Sequence, residues 1–242
     1  MSVDLLDWTA PGPYRVSFST RLGGISEGEF ESLNLGILTE DDPARVVVNR
    51  MRLCEAVGAD PDGATMAWQR HGGTVTRARP RGIVTPGTVY DHCDGLWSDQ
   101  PGRAMLLLTA DCLPIAIARS GGTRPAVEIL HAGRIGILGG VVEAGVTALG
   151  GAVAAAIGPA IGPCCYEVGD EVCEPYRARF GAGVMRGRNL DLWRAADLSL
   201  RAAGVRSIER VDLCTACHPE LFFSYRRDKG RTGRQGVVAY IG

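Results

Sequence analysis

The sequence predicts a mixed α/β (α+β) fold, a single layered sandwich domain over residues 1–242 in which mixed β-sheets are flanked by helices. Short aliphatic and β-branched runs alternate with segments of helical period along the chain. No internal repeat or low-complexity linker interrupts them. Glycine is abundant, at 33 of 242 residues, yet together with 13 prolines it stays below the level that marks disorder. The glycines therefore read as tight turns and close backbone approaches.

Taken in order, residues 15–20 read as the first strand and 43–57 as the first helix, which opens with acids ahead of Pro43. Strands follow at 65–68, 74–77, 104–109, 114–118 and 126–131, most of them rich in β-branched or aliphatic residues. The remaining order is a helix at 139–149, a strand at 153–157, helices at 171–180 and 191–203, the last closed by Gly204, and strands at 207–211 and 237–241.

Composition removes several function classes. The 26 basic and 27 acidic residues nearly cancel, so no whole-molecule attraction to nucleic acid is expected. The most apolar stretch, 104–118, contains Asp111 and Pro114 and is too short and too polar to span a membrane. The first eight residues hold two acids and no basic region, so no signal peptide is read and a cytoplasmic setting is expected. The eight cysteines are then reduced thiols that pack, bind metal or catalyse.

The chain has four histidines, and two of them, His71 and His131, sit where a short apolar strand gives way to glycine. Cys112 occupies a similar place in Thr109-Ala110-Asp111-Cys112-Leu113-Pro114. Side chains at such strand ends converge on a cleft while the backbone stays clear. Two imidazoles and a thiolate suit Zn²⁺ and leave one tetrahedral position open, the arrangement of a catalytic site. The alternative is a buried structural cysteine with two hydrogen-bonded histidines, since the spacing matches no short zinc motif.

Other strings carry less. Cys214-Thr215-Ala216-Cys217-His218 has the form of a haem-attachment motif, but without an export signal it reads as a turn. His218-Pro219-Glu220 has the His-x-Glu of nucleobase deaminases with the cysteine pair on the wrong side. Adjacent Cys164 and Cys165 are poorly placed to chelate one metal and read as packing behind a tight turn. Gly158-Pro159-Ala160-Ile161-Gly162-Pro163 reads as a rigid loop able to wall a pocket. Residues 226–234 place five basic side chains in nine positions, which favours an oxyanion partner; nucleic acid and a solvated loop are the other readings, and Arg21 is a second anion candidate.

Several strings taken together resemble one bacterial family, the peptidoglycan editing factor or laccase-domain (polyphenol oxidase) proteins. They are Ser19-Thr20-Arg21-Leu22-Gly23-Gly24, Ser32-Leu33-Asn34-Leu35-Gly36, Gln69-Arg70-His71-Gly72, Ala110-Asp111-Cys112-Leu113-Pro114 and His131-Ala132-Gly133. They continue through Gly158 to Val168, Asn189-Leu190-Asp191-Leu192, Phe223 to Asp228 and Thr232-Gly233-Arg234, so the resemblance runs in order through most of the chain. It implies a metal held by His71, Cys112 and His131. It further implies phosphorolysis of adenosine, inosine, guanosine or S-methyl-5′-thioadenosine, with adenosine deamination as a further activity. One departure stands out: the family's His-Ala-Gly-Trp-Arg-Gly is here His131-Ala132-Gly133-Arg134-Ile135-Gly136, with the arginine displaced by one position.

On this reading Zn²⁺, with Cu²⁺ as the alternative, is the cofactor, and a nucleoside and phosphate are the partners of a monomer or homodimer. Arg21 and one of Arg226 or Arg227 are expected as anion clamps, Gln69 as a substrate contact, and Asp111 or Asp94 as an acid/base carboxylate or a support behind the metal ligands. A copper oxidase is the second expectation, weakened by the few histidines. A metal-free hydrolase acting on cell-wall precursors is the third, with Cys112 as nucleophile and His131 or His71 as base. A binding module without turnover is the fourth.

Overall fold

A computed structural model describes residues 2–80, 82, 90–122, 124–151 and 153–242. The chain opens with β1 (Leu5–Asp7), β2 (Tyr14–Ser19), α1 (Pro43–Val57), β3 (Val75–Arg77), β4 (Gly95–Ser98) and β5 (Met105–Thr109). It continues with β6 (Leu113–Arg119), β7 (Val127–Ala132), α2 (Arg134–Leu138), α3 (Val141–Leu149), β8 (Val153–Ile157) and α4 (Asp170–Phe180). It ends with β9 (Met185–Arg186), β10 (Asn189–Leu190), α5 (Leu192–Ala202), β11 (Ser207–Arg210) and β12 (Gln235–Ile241).

The described residues form three sheets: a four-stranded sheet in the order β1-β2-β12-β5, a six-stranded mixed sheet in the order β11-β8-β6-β7-β4-β3, and the β9–β10 pair. Period-two alternation sorts the side chains between layers. Along β6, Leu113, Ile115 and Ile117 join a core shared with α3, α4 and α5, while Ala116 and Ala118 join a second core with Phe18, Met105, Leu107, Val237 and Ala239 of the four-stranded sheet. Small residues on the six-stranded sheet (Ala116, Ala118, Ala154, Ala156) thus face large ones across the sandwich. The outer face of the four-stranded sheet, through Leu106 and Val238, packs on Leu53 and Cys54 of α1. Helix, sheet, sheet and helix follow one another, the mixed α/β sandwich that the sequence predicts.

Capping explains where α1 and α5 begin. The Asp42 carboxylate accepts from the Ala44 N–H with Pro43 at the first turn of α1, and the helix closes on Gly58 at φ 70°. Asp191 accepts from the Arg194 N–H and so lies just outside α5. Three local expectations differ from the structure. Residues 65–68 are not a strand: Thr65 and Trp68 make single bridges to Met105 and His92. The helix expected at 139–149 is α3, but α2 just before it was not expected: Gly139 ends α2 and Gly140, at φ 84°, starts α3 afresh. β4 was not expected, since Gly95-Leu96-Trp97-Ser98 has no β-branched residue and its strand character comes from pairing with β3 and β7. No helix of the described residues is long and apolar enough to cross a membrane.

Candidate functional site

Strand register builds the site. β6 and β7 pair antiparallel with Leu113 opposite Ala132 and Pro114 opposite His131, which sets Cys112, one step before β6, beside Gly133. β4 pairs with β7 with Gly95 opposite Leu130, which sets Asp94 beside His131. A Cβ at Gly133 would stand 3.0 Å from both Cys112 Sγ and His71 Cδ2, so only glycine lets those side chains close over the backbone.

His71, Cys112 and His131 each offer a ligand atom, and these atoms lie within 4.8 Å of one another. The two imidazole rings meet edge to face, with centroids 4.8 Å apart. Asp94 is buried behind them. Its carboxylate accepts from the backbone N–H groups of Arg70 at 3.1 Å, His71 at 2.8 Å and Gly72 at 2.7 Å, and lies 2.8 Å from His131 Nδ1. With Nδ1 engaged, Nε2 is the nitrogen His131 has left to offer a metal, the carboxylate–histidine arrangement typical of metal sites. The wrap of three N–H groups around one carboxylate also holds His71 at φ 60°, left-handed backbone that is strained for histidine. The donor set and the glycine cradle fit a borderline-soft ion.

Electrostatics couples the three groups. Burial opposes ionisation of Cys112, but the His131 charge and hydrogen bonds from His131 and His71 outweigh it and bring the thiol down to about 6. Burial likewise opposes protonation of His131, but Cys112 and Asp94 outweigh it and raise the imidazole to about 9. The Asp94 carboxyl is disfavoured as an anion by burial, yet His131 and the Gly72 and Arg70 N–H groups hold it below its ordinary value.

The triad opens onto a cavity of about 690 Å³, within the range of small-molecule sites. Trp68 and Tyr90 line it, their rings edge to face at 5.6 Å. Its mouth carries Leu38, Ile135 and Tyr225, three of the exposed large apolar side chains. Tyr166 lines it too, with the Arg226 guanidinium 5.0 Å from its ring centroid.

The arginines divide sharply. Arg226 lines the cavity with one guanidinium nitrogen on the Glu167 carbonyl. Arg21 and Arg227 are not in the lining. Arg21 donates to the Glu31 and Pro219 carbonyls and stacks on Phe223, while Arg227 holds the Thr215 and Phe222 carbonyls and Asp228. Basic density in the sequence does not distinguish guanidiniums held outside the cavity from those in its lining. Arg134 and Arg234, which the sequence reading left out of the clamp, do line the cavity, Arg234 with its guanidinium on the Thr232 and Gly233 carbonyls. The Arg134 guanidinium has no hydrogen bond or ion pair among the described residues. The displaced arginine of His131-Ala132-Gly133-Arg134 therefore still reaches the site, from the first residue of α2.

Gln69 and Asp111 also line the cavity but have partners. Gln69 pairs both ways with the backbone of Leu108, at 2.6 and 2.9 Å. Asp111, at φ 86°, accepts from Thr215 Oγ1 and from the Arg226 N–H, each at 2.6 Å. His92 sits 3.4 Å from Arg70 and His218 pairs with Glu220, so neither joins the triad.

The clustered His71, Cys112 and His131 in an α/β sandwich offer the donor set of a metal site, and comparison places the chain in a family. Residues 15–242 match the family described as multi-copper polyphenol oxidoreductase laccase. A purine nucleoside phosphorylase of Pseudomonas aeruginosa is 39% identical over 97% of this chain and 96% of its own length. The purine nucleoside phosphorylase YfiH of Escherichia coli is 36% identical over 97% and 96%. The crystal structure of YlmD from Geobacillus stearothermophilus superposes with a TM-score of 0.89 at 34% identity, covering 97% of this chain and 94% of that one. The chain belongs to this laccase-domain family, whose relatives here are named purine nucleoside phosphorylases.

Proposed function

We propose that this chain is a zinc-dependent purine nucleoside phosphorylase that acts on adenosine, inosine, guanosine or S-methyl-5′-thioadenosine, with adenosine deamination as a side activity. The observation that carries the reading is the meeting, in one cavity, of the His71–Cys112–His131 donor set and the unpaired Arg134 guanidinium. The names of the relatives support the same reaction.

In phosphorolysis a phosphate oxygen bonds to ribose C1′ while the C1′–N9 bond breaks, its electron pair leaves with the purine, and the base takes up a proton. Positive charge grows on the ribose and must be matched by a fixed anion. Arg134 and Arg226 hold the phosphate, with Arg234 completing the positive wall. Trp68 and Tyr90 give the base an apolar aromatic wall. Asp94 orients His131 and His71, and Asp111 fixes the backbone that carries Arg226. His71, Cys112 and His131 would hold a zinc ion, which when bound would supply Lewis-acid stabilisation of developing negative charge.

The test is product analysis with inosine or adenosine, with and without phosphate and with and without a chelator. Phosphate-dependent release of ribose 1-phosphate, lost together with zinc in His71→Ala, Cys112→Ala and His131→Ala, is expected. Base release that ignores phosphate would overturn the phosphorylase, and phosphorolysis surviving metal loss would overturn the zinc.

A second reading rests on the closeness of Cys112 and His131, whose sulfur and ring nitrogen lie within 4.8 Å of each other, with burial outweighed so that the thiol is lowered and the imidazole raised. That pair is the activated nucleophile and base of a cysteine hydrolase. Activity that survives chelation but not alkylation of Cys112 would favour it.

A further inference from the structure

Four cysteines lie together outside the cavity triad. Cys164 and Cys165 stand in a turn where the Gly162 carbonyl accepts from the Cys165 and Tyr166 N–H groups, and Cys214 and Cys217 stand in the turn before His218. The chain separates the two pairs by some fifty residues, but a bridge between Ala160 and Cys214, with the Thr215 N–H on the Ala160 carbonyl at 3.0 Å, lays one loop on the other. Adjacent cysteines in an extended segment would point apart; this turn brings both sulfurs to the same partner.

All four Sγ atoms lie within 4.8 Å of one another. Cys217 Sγ is 3.5 Å from Cys164 Sγ and 3.4 Å from Cys165 Sγ. A tetrahedral ion with bonds of about 2.3 Å to four thiolates sets its sulfurs about 3.8 Å apart. A disulfide needs about 2.05 Å, and a four-iron cube, with a separate iron under each thiolate, would spread the sulfurs much more widely. The Gly162 N–H donates to Cys214 Sγ at 3.2 Å, and the Cys217 N–H closes the turn on the Cys214 carbonyl at 3.1 Å. A backbone donor to sulfur stabilises a thiolate in a Cys-x-x-Cys turn. Arg227, itself paired with Asp228, donates to the Thr215 carbonyl inside that turn and braces it.

We propose that Cys164, Cys165, Cys214 and Cys217 form a second metal site, a closed tetrathiolate centre for one zinc ion that clamps the loop before Tyr166 to the loop carrying Thr215. Four thiols bind the ion as thiolates and release their protons to solvent. With no position left open, the centre is structural. Its place gives the clamp a purpose: Tyr166, next to Cys165, lines the cavity, and Thr215, between Cys214 and Cys217, holds Asp111 at 2.6 Å. The inference does not depend on which reaction the cavity performs.

The experiment uses full-length protein purified anaerobically with a phosphine reductant. Its metal content is measured beside that of two double variants, Cys164→Ser with Cys217→Ser and His71→Ala with Cys112→Ala. The first is expected to lose one zinc per chain relative to the parent and to keep the metal of the histidine site; the second is expected to keep the tetrathiolate zinc. Co²⁺ added to the metal-stripped second variant should give the intense visible bands and sulfur-to-cobalt charge transfer of a four-thiolate centre at one equivalent. This readout does not require the serine variant to fold. No charge-transfer band with all four thiols freely reactive, or unchanged zinc in a folded Cys164→Ser/Cys217→Ser protein, would overturn the proposal.

Discussion

Asp94→Asn tests whether one carboxylate organises the proposed metal site of His71, Cys112 and His131. The amide is nearly isosteric, so no cavity opens, but one oxygen becomes a donor. If the retained oxygen keeps His71 and His131, the new NH₂ faces the Gly72 N–H, where the carboxylate now accepts at 2.7 Å. One hydrogen bond to a charged group, worth about 1.5–3 kcal/mol, is lost. For a chain of this size that lowers Tm by about 3–12 °C. The metal should feel it separately, because an outer carboxylate behind a ligating histidine is worth about 10–100-fold in affinity. The assay is zinc competition against a chromophoric chelator, run beside thermal unfolding of the metal-free protein. Both values should fall. Wild-type zinc affinity in a variant with lowered Tm would refute the reasoning and make Asp94 a loop anchor only.

Gly133→Ala places a Cβ 3.0 Å from Cys112 Sγ and His71 Cδ2 and should cost about 1–3 kcal/mol of overpacking, read as about 5–150-fold weaker zinc binding; unchanged affinity would show that the ligands have slack. Arg134→Ala should raise the KM for phosphate about 10–150-fold while zinc content stays at the parent level, and an unchanged KM would remove Arg134 from the anion site. Glu128, in mid-β7, has both carboxyl oxygens buried without a hydrogen-bond partner among the described residues, and burial holds its pKa well above the ordinary value. Its neutral form is therefore favoured on folding: the stability this gives is full below the unfolded pKa near 4.5 and is lost as pH rises towards the folded pKa, at about 1.4 kcal/mol per pH unit. Glu128→Gln should flatten that slope in urea unfolding at pH 5 and 8; parallel slopes would refute it.

The layered fold was legible because its evidence is local. Aliphatic runs such as Leu113-Pro114-Ile115-Ala116-Ile117-Ala118 carry both their strand propensity and, through alternation of large and small side chains, their place between two cores. Elements made by their partners were not: β4 is held by β3 and β7, and α2 is separated from α3 by two glycines that alone predict only a weak spot. For the candidate site, glycine after an apolar run marked where His71 and His131 stand, although no strand precedes His71; their meeting depends on the Asp94 contacts and on register, and a slip of one residue between β6 and β7 would turn His131 to the other face of the sheet. The arginines were least legible, since a guanidinium bound to carbonyls and one open to a cavity have the same sequence.

The two cysteine-containing sites show how far residue spacing can mislead. Cys112 and the histidines are far apart in sequence and converge through β-pairing, while Cys164 and Cys165 are adjacent and point to one place because a turn carries them. Both sites press on the same wall. Asp111 precedes Cys112, and its carboxyl is held by Thr215 from within the Cys214–Cys217 turn and in turn holds the backbone of Arg226. A shift of the Cys214–Cys217 loop would therefore reach the cavity through two hydrogen bonds, from Thr215 to Asp111 and from Arg226 to Asp111. A strained, left-handed Asp111 can persist only where its surroundings over-determine it. A thiolate clamp behind the wall provides that constraint without occupying the cavity, and so leaves the triad and Arg134 free for substrate.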